Sequence, residues 1–230
     1  MRVFITGANR GFALLLSLYM AEKGHRVYAC YHPSLPHEET TNAAAKFSGL
    51  KVFPADVTRE EDIAGAAKTI LNDGGKLDAV VSVAGILADS DRELPITEVN
   101  VADLRLALDV NVTGAAIVIK HFHNAVKPGG IFITITSEGG SMTNVGTRYP
   151  AYSVSKSAEN KLVAVFAKTV SDYKIYAVHP GRMNTVMGRN DAQIEPLVSV
   201  ENMYRIITGE KTVPPENGWF INYLGEAMEI

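Results

Sequence analysis

Val3-Phe4-Ile5-Thr6-Gly7-Ala8-Asn9-Arg10-Gly11-Phe12-Ala13 is the stretch that decides the architecture of this 230-residue chain. Val3 to Thr6 read as a short apolar strand, and Gly7 to Ala13 turn it into a helix that ends near Gly24. A glycine-bearing turn from strand to helix aims bare backbone N–H groups and the positive helix end at one spot, where a pyrophosphate can rest. The same glycines would also serve an ordinary tight connection. Their context decides: Arg26 to Tyr31 supply a second strand, so the turn stands inside a βαβ unit.

The alternation continues outward from that unit. Lys51 to Phe53 form a third strand, then come Asp56-Val57 and a helix over Glu60 to Asn72, stopped by Gly74-Gly75. Asp78 to Val83 make a fourth strand that enters Ala84-Gly85. A helix is expected over Val101 to Val126, closed by Pro128-Gly129-Gly130. Ile131 to Thr136 form a fifth strand with Ser137 at its exit. A long helix begins at Tyr149-Pro150-Ala151-Tyr152-Ser153-Val154-Ser155-Lys156 and runs through the apolar-periodic Ala158 to Val170. Lys174 to Val178, the turn His179-Pro180-Gly181, a short helix near Val200 to Ile207 and a last strand around Trp219 to Asn222 complete the chain. His32 to Thr41, with two prolines, is the expected mobile loop among the early connections.

Strands alternating with helices predict an α/β fold, a doubly wound and mostly parallel sheet of about seven strands with helices on both faces. Ligands of such sheets bind outside the carboxyl ends of the strands. Gly7, Asp56, Gly85, Ser137 and Pro180 all fall at strand exits, so they should line one crevice. Nothing marks a second domain, and residues 1–230 read as one unit.

Tyr152 and Lys156 are four apart on one helix, which places phenol and ammonium on the same face one turn apart. A free tyrosine has a pKa of about 10. A neighbouring cation favours the phenolate and brings proton exchange closer to neutrality.

Composition narrows the function. The sequence is 47% hydrophobic and 20% charged, with a net charge of -3 and a pI near 6.1. That balance gives no electrostatic case for nucleic acid or an anionic membrane surface. Phe12 to Ala21 is too short an apolar run to span a bilayer, and Gly7 to Gly11 interrupt the approach to it. The single cysteine, Cys30, excludes an intrachain disulfide and fits a reducing cytoplasm, with Cys30 as a buried structural thiol. His121 and His123 face different ways on a helix, and no histidine shows metal-ligand spacing.

Taken in order, Thr6-Gly7-x-x-x-Gly11, Asp56-Val57, Ala84-Gly85, Asn111-Val112-x-Gly114, Ser137, Tyr152-x-x-x-Lys156 and Pro180-Gly181 with Thr185 resemble the short-chain dehydrogenase/reductase family, single-domain branch, over essentially the whole chain. The resemblance implies a Rossmann fold and a nicotinamide cofactor. It implies Tyr152 as general acid/base, Ser137 as the hydroxyl that polarises the substrate carbonyl, Lys156 on the nicotinamide ribose, and Asn111 holding a water in a relay to Lys156. Gly7, Asn9, Arg10, Gly11, Phe12, Asp56, Val57, Ala84, Gly85, Pro180, Gly181 and Thr185, with Tyr152 and Lys156, would contact the cofactor. Two O–H donors at the carbonyl oxygen would stabilise the charge that develops there in the transition state.

Two departures from the family pattern stand out. Ala13 replaces the third glycine of the turn, and Ser82-Val83-Ala84-Gly85 stands where relatives commonly carry Asn-Asn-Ala-Gly. Bonds that steady this strand exit are then expected from Ser82, backbone or water. At the end of the second strand, Ala29-Cys30-Tyr31-His32 contains no acid to accept from a ribose 2′-OH, while Arg10 resembles the basic residue that neutralises a 2′-phosphate. Together these favour NADP(H) over NAD(H).

The segment from Met183 to Pro215 would cover the substrate, with Met187, Ile194 and Leu197 beside Asn184, Arg189, Asn190 and Asp191. The ending Gly218 to Gly225 resembles carbonyl reductases, so the leading reading is an NADP(H)-dependent oxidoreductase of carbonyls and alcohols. Competing readings are a sugar-nucleotide epimerase or dehydratase and a non-catalytic dinucleotide-sensing regulator on the same fold. A small-molecule substrate and a homodimer or homotetramer are the expected partners, the latter paired through a face with Ala158, Leu162, Val165 and Phe166.

Overall fold

In the computed structural model, which describes residues 1–188 and 192–230, the first strand β1 (Arg2–Ile5) leads through Gly7 into α1 (Gly11–Glu22) and returns as β2 (Arg26–Tyr31). There follow α2 (Glu38–Ala44), β3 (Leu50–Pro54), α3 (Glu60–Asn72), β4 (Leu77–Ser82), α4 (Val101–Leu108), α5 (Gly114–Phe122), β5 (Val126–Ile135), α6 (Pro150–Thr169), β6 (Lys174–His179), α7 (Pro196–Thr208) and β7 (Phe220–Asn222). The strands form one sheet in the order β3-β2-β1-β4-β5-β6-β7, and every neighbouring pair is parallel. The chain winds outward first through β2 and β3 and then, on the other side of β1, through β4 to β7. The reversal lies between β1 and β4, where crevices open in sheets of this kind.

Two apolar layers cover the two faces. Val3, Ile5, Leu16, Met20, Val81, Ile133 and Met203 join α1 and α7 to one face. Phe4, Tyr28, Ile63, Val80, Phe122, Phe132 and Phe166 join α3, α5 and α6 to the other. Successive strand residues alternate between these layers, so strands buried on both faces must be apolar almost throughout. Phe4 stacks on Phe122 at 4.1 Å between ring centres. Each such fully buried aromatic contributes about 1.5–3 kcal/mol over leaving it in water.

Several expectations need correction. His32 to Thr41 is not simply a loop: α2 begins inside it, and the buried Thr40 hydroxyl donates to the Ala8 carbonyl at 2.5 Å, tying this segment to the glycine turn. The helix expected over Val101 to Val126 is broken by a π turn at Asp109–Thr113 between α4 and α5. Nor do Pro128-Gly129-Gly130 close a helix; they belong to β5, which starts at Val126 and shifts register against β4 between the Leu77 and Ala79 pairings. The helix near Val200 starts earlier, at Pro196, whose missing N–H suits a first turn. Of the expected pairing face, Phe166 is buried in the core while Val165 is exposed. Arg189, Asn190 and Asp191 lie outside the described residues.

Candidate active site

The glycine turn forms one half of the site. Gly7 has φ 74°, and a Cβ there would lie 2.8 Å from the Ala84 Cα, so both conformation and space demand glycine where β1 passes the exit of β4. The buried Thr6 hydroxyl accepts from Val83 N at 2.9 Å and Ala84 N at 3.0 Å. This is what steadies the strand exit in place of the Asn-Asn side chains, and it comes from a neighbouring strand rather than from Ser82. Asn9 is similarly committed: its carbonyl accepts from His32 N at 2.8 Å, and its amide donates to His32 O at 3.0 Å and Pro36 O at 3.2 Å. It braces the exit of β2 against the turn. Phe12 is buried in the core, so only its backbone faces the turn.

The residues fit a bound dinucleotide. α1 starts with no side-chain cap and no acid in its first turn, leaving its leading N–H groups to a ligand. Arg10 is exposed beside them. At the exit of β3, Asp56 accepts from Thr58 N at 2.9 Å and the Thr58 hydroxyl at 2.8 Å, and His32 lies 3.3 Å away. Burial works against its charge, but the Thr58 bonds and His32 outweigh it and hold the carboxyl below its ordinary range. Val57 is buried in the core.

The other half is built around α6. Tyr149 takes a left-handed conformation at φ 58° just before Pro150 opens the helix. The helix end is capped from elsewhere in the chain: the buried Asp91 carboxylate, in a short 3-10 turn at Ser90–Arg92, accepts from Ala151 N and Tyr152 N, each at 2.8 Å. A negative group on these N–H donors complements the helix dipole. It also anchors the very residue that carries the phenol. No local pattern announces Asp91, because its partners are sixty residues away.

Lys156, one turn further on, is buried with its ammonium 5.6 Å from the centre of the Tyr152 ring. It donates to Ile135 O at 3.0 Å and to Glu159 Oε2 at 2.6 Å. Burial alone would push the ammonium toward neutrality; the Glu159 carboxylate, and Tyr152 after it, outweigh burial and hold it protonated above its ordinary range. Glu159 is itself pushed up to about 7 by burial, with Lys156 opposing.

Asn111 sits in the π turn, a feature often met at functional sites. Its carbonyl accepts from Ile86 N at 2.8 Å, and its amide donates to Ile86 O at 3.1 Å and the Ser155 hydroxyl at 2.9 Å. The side chain thus clamps the β4 exit to α6. A Cβ at Gly85 would come within 3.1 Å of the Asn111 carbonyl oxygen and 3.4 Å of the Lys156 ammonium, so this glycine keeps the crevice floor open. Ser137 leaves β5 with its hydroxyl accepting from Gly139 N at 3.1 Å.

At the exit of β6, Pro180 is buried and Gly181 has φ 86°. The chain then folds back, with Met183 bridged to Ile194 and Thr185 accepting from Gly188 N at 3.1 Å. Arg92, next to Asp91, donates to Met187 O at 2.7 Å and ties this segment to the start of α6. Glu138 accepts from Arg182 at 2.5 Å with His179 4.0 Å away. Burial, and Arg182 with it, hold His179 below its ordinary pKa against Glu138.

The chemistry-bearing residues gather at this crevice and not in the open groove of about 610 Å³ along β3 and α3. Cys30 lies outside it, fully buried, with burial pushing its thiol up to about 12. It is an inert core residue. Among the described residues no cluster of His, Cys, Asp and Glu could hold a metal ion, and no helix is long and apolar enough to cross a membrane.

A family model described as enoyl-(acyl carrier protein) reductase matches residues 7–224. The short-chain dehydrogenase/reductase ATR10 of Stachybotrys chlorohalonatus is 30% identical over 203 residues, covering 81% of this chain and 72% of that one. The NADPH-dependent pterin aldehyde reductase of Arabidopsis thaliana is 28% identical over 184 residues, covering 80% and 75%. Among solved structures, the NADPH-bound carbonyl reductase from chicken fatty liver superposes with a TM-score of 0.87 at 22% identity, over 100% of this chain and 98% of that one. The carbonyl reductase from Pseudomonas aeruginosa PAO1 in complex with NADP gives 0.81 at 17%, over 100% of both. At such identities the structural likeness speaks for the fold.

Proposed function

Since the chain belongs to the short-chain dehydrogenase/reductase family, we propose that it is an NADP(H)-dependent reductase of small carbonyl compounds, working through Tyr152. The observation that carries this reading is the convergence of Tyr152, Lys156, Asn111 and Gly85 at the crevice that the glycine turn opens. Gly7, Gly11 and the uncapped start of α1 would hold the pyrophosphate, with Asp56, Ala84, Pro180, Gly181 and Thr185 around the remaining parts of the dinucleotide. Arg10 would meet the 2′-phosphate, since the exit of β2 offers no acid of its own to repel it. The cofactor, when bound, supplies the hydride.

Tyr152 donates its phenolic proton to the carbonyl oxygen as negative charge develops there, and Ser137 donates a second hydrogen bond. Lys156 places a positive charge beside the phenol and would reach the ribose. Asn111 supports both by clamping the β4 exit to α6. The segment from 183 to 215 would cover the substrate within a single-domain unit of residues 1–230, and the pterin aldehyde named for one relative points to small-molecule aldehydes as substrates to try.

The lone buried cysteine suits a reducing cytoplasm. Exposed Val101, Leu106, Val154 and Val165 on α4 and α6 supply an apolar face for a homodimer or homotetramer; light scattering that finds only monomer removes that part. The deciding experiment is NADPH oxidation against a panel of aldehydes, ketones and quinones. Tyr152→Phe should cut turnover about 10²–10⁴-fold while NADPH binding, followed by fluorescence, stays unchanged. Full turnover in that variant overturns the mechanism.

A further inference from the structure

The Lys156 ammonium faces a carboxylate that the acid/base scheme does not use. Glu159, one turn beyond Lys156 on α6, is among the most deeply buried charged side chains of the described residues, and its side chain and that of Lys156 are only 1% and 4% exposed. The 2.6 Å contact leaves the ammonium between Glu159 Oε2 and Ile135 O, on the floor of the crevice beneath Gly85. A buried carboxylate without a task is costly, and a well-packed apolar residue in its place is often neutral or stabilising.

We propose that Glu159 is a positioning residue of this site: its buried carboxylate holds the Lys156 ammonium against the exit of β5 and offsets part of the positive field that Lys156 lays on Tyr152. This rests on the reading of Tyr152 as the proton donor. Four charged groups on elements packed against α6 are engaged elsewhere. Asp91 caps the helix start. Asp103 of α4 accepts from Ser90. Glu138, next to His179 of β6, is held by Arg182. Arg92, beside Asp91, donates to Met187 O at 2.7 Å. Arg105 and Asp109, on α4 and the π turn, and Lys174 and Tyr176 of β6 are the remaining charged and titratable groups on these elements. The groups acting on the Lys156 ammonium are Glu159 and Tyr152, and the one acting on Glu159 is Lys156.

The charge state of the pair follows. With Glu159 ionised, the pair is neutral overall and Tyr152 feels a partly cancelled cation. With Glu159 protonated, which burial brings to near-neutral pH, Tyr152 faces an uncompensated ammonium. Glu159→Gln keeps the shape and an acceptor for Lys156 while removing the negative charge. Glu159→Asp keeps the charge.

The test needs no substrate for its first arm. Tyrosinate absorbance is titrated in wild type, Glu159→Gln and Glu159→Asp, each minus its Tyr152→Phe counterpart, which isolates Tyr152 from the other tyrosines. The expected result is tyrosinate formation about one pH unit lower in Glu159→Gln, with Glu159→Asp close to wild type. The second arm follows the pH profile of NADPH oxidation with 4-nitrobenzaldehyde, whose alkaline limb should move in the same direction by the same amount. A Glu159→Gln variant that folds, by circular dichroism, and titrates like wild type overturns the proposal and leaves Glu159 a packing residue. If Glu159→Gln does not fold, Glu159→Asn is titrated against Glu159→Asp, a pair of equal shape that differs in charge: tyrosinate formation at lower pH in Glu159→Asn supports the proposal, and equal titrations overturn it. Wild type that leaves 4-nitrobenzaldehyde unreduced counts against the carbonyl reading, while the tyrosinate titration still decides the role of Glu159.

Discussion

Two ion pairs in this molecule have the same length and opposite surroundings. Lys51 meets Asp73 at 2.6 Å at the edge of the sheet, where Arg26 also reaches Asp73 at 2.9 Å, and the three side chains are 48%, 30% and 44% exposed. Lys156 meets Glu159 at 2.6 Å almost entirely out of water. Distance therefore says little about what a salt bridge does. The exposed cluster exchanges hydration for partners at little net gain, whereas the buried pair has given up its water and depends on each member for the other's tolerance. One fastens a surface; the other, on the proposal above, sets the charge beside Tyr152.

The largest effect should come from splitting the buried pair. Glu159→Leu leaves an unpartnered buried ammonium and should cost about 3–5 kcal/mol in urea unfolding. Adding Lys156→Met to it should return most of that stability in a protein without turnover. A double variant as unstable as the single one would mean that the pair supports the fold in its own right.

Next in size is the buried carboxylate that is answered by backbone instead of an ammonium. Asp91→Ala strands two N–H donors at the start of α6 and should cost about 1–3 kcal/mol, with turnover falling because Tyr152 is one of the two residues held. Equilibrium unfolding and kcat measured together separate the two consequences. Stability lost with kcat intact would confine Asp91 to capping.

The smallest effect belongs to the surface. Asp73→Asn should barely move the thermal midpoint at neutral pH, because solvent replaces what Lys51 and Arg26 supplied. Its pH signature runs opposite to that of Glu159. Asp73 is held down to about 2, chiefly by the Lys51 and Tyr28 hydrogen bonds against some burial, so its contribution is present above the unfolded value of about 3.9 and lost as pH falls through 2. Glu159 is pushed up to about 7, so the folded state binds its proton more tightly than the unfolded state does. Its contribution is full below about 4.3 and lost as pH rises through 7. Unfolding of wild type against Glu159→Gln between pH 4 and 8 should show that slope, and wild type against Asp73→Asn should diverge only below about pH 4.

Much of this molecule is legible in the order of its residues. Apolar runs of strand length separated by amphipathic helices dictate a parallel sheet covered on both faces, and Gly7, Gly85, Ser137 and Pro180 fall at strand exits because such chains place their turns there. The four-residue spacing of Tyr152 and Lys156 puts them on one helix face without any knowledge of the rest. These are local and periodic properties, carried by backbone geometry and by the partition of side chains between water and core.

What tertiary structure alone decided are the partners across long separations. The Thr6 hydroxyl on Val83 and Ala84, the Asp91 carboxylate on the start of α6, and the Asn111 clamp on Ile86 each join residues with no shared periodicity. The π turn that places Asn111 interrupts a run whose sequence reads as continuous helix. Glu159 is the sharpest case. In sequence it is one more acid after a lysine, of the kind that usually lies on a solvated helix face, and its spacing from Lys156 is the same in water or in a core. Only the packing of α6 against the sheet removes that face from solvent, and removal from solvent turns a common pair of charges into one that can govern a proton.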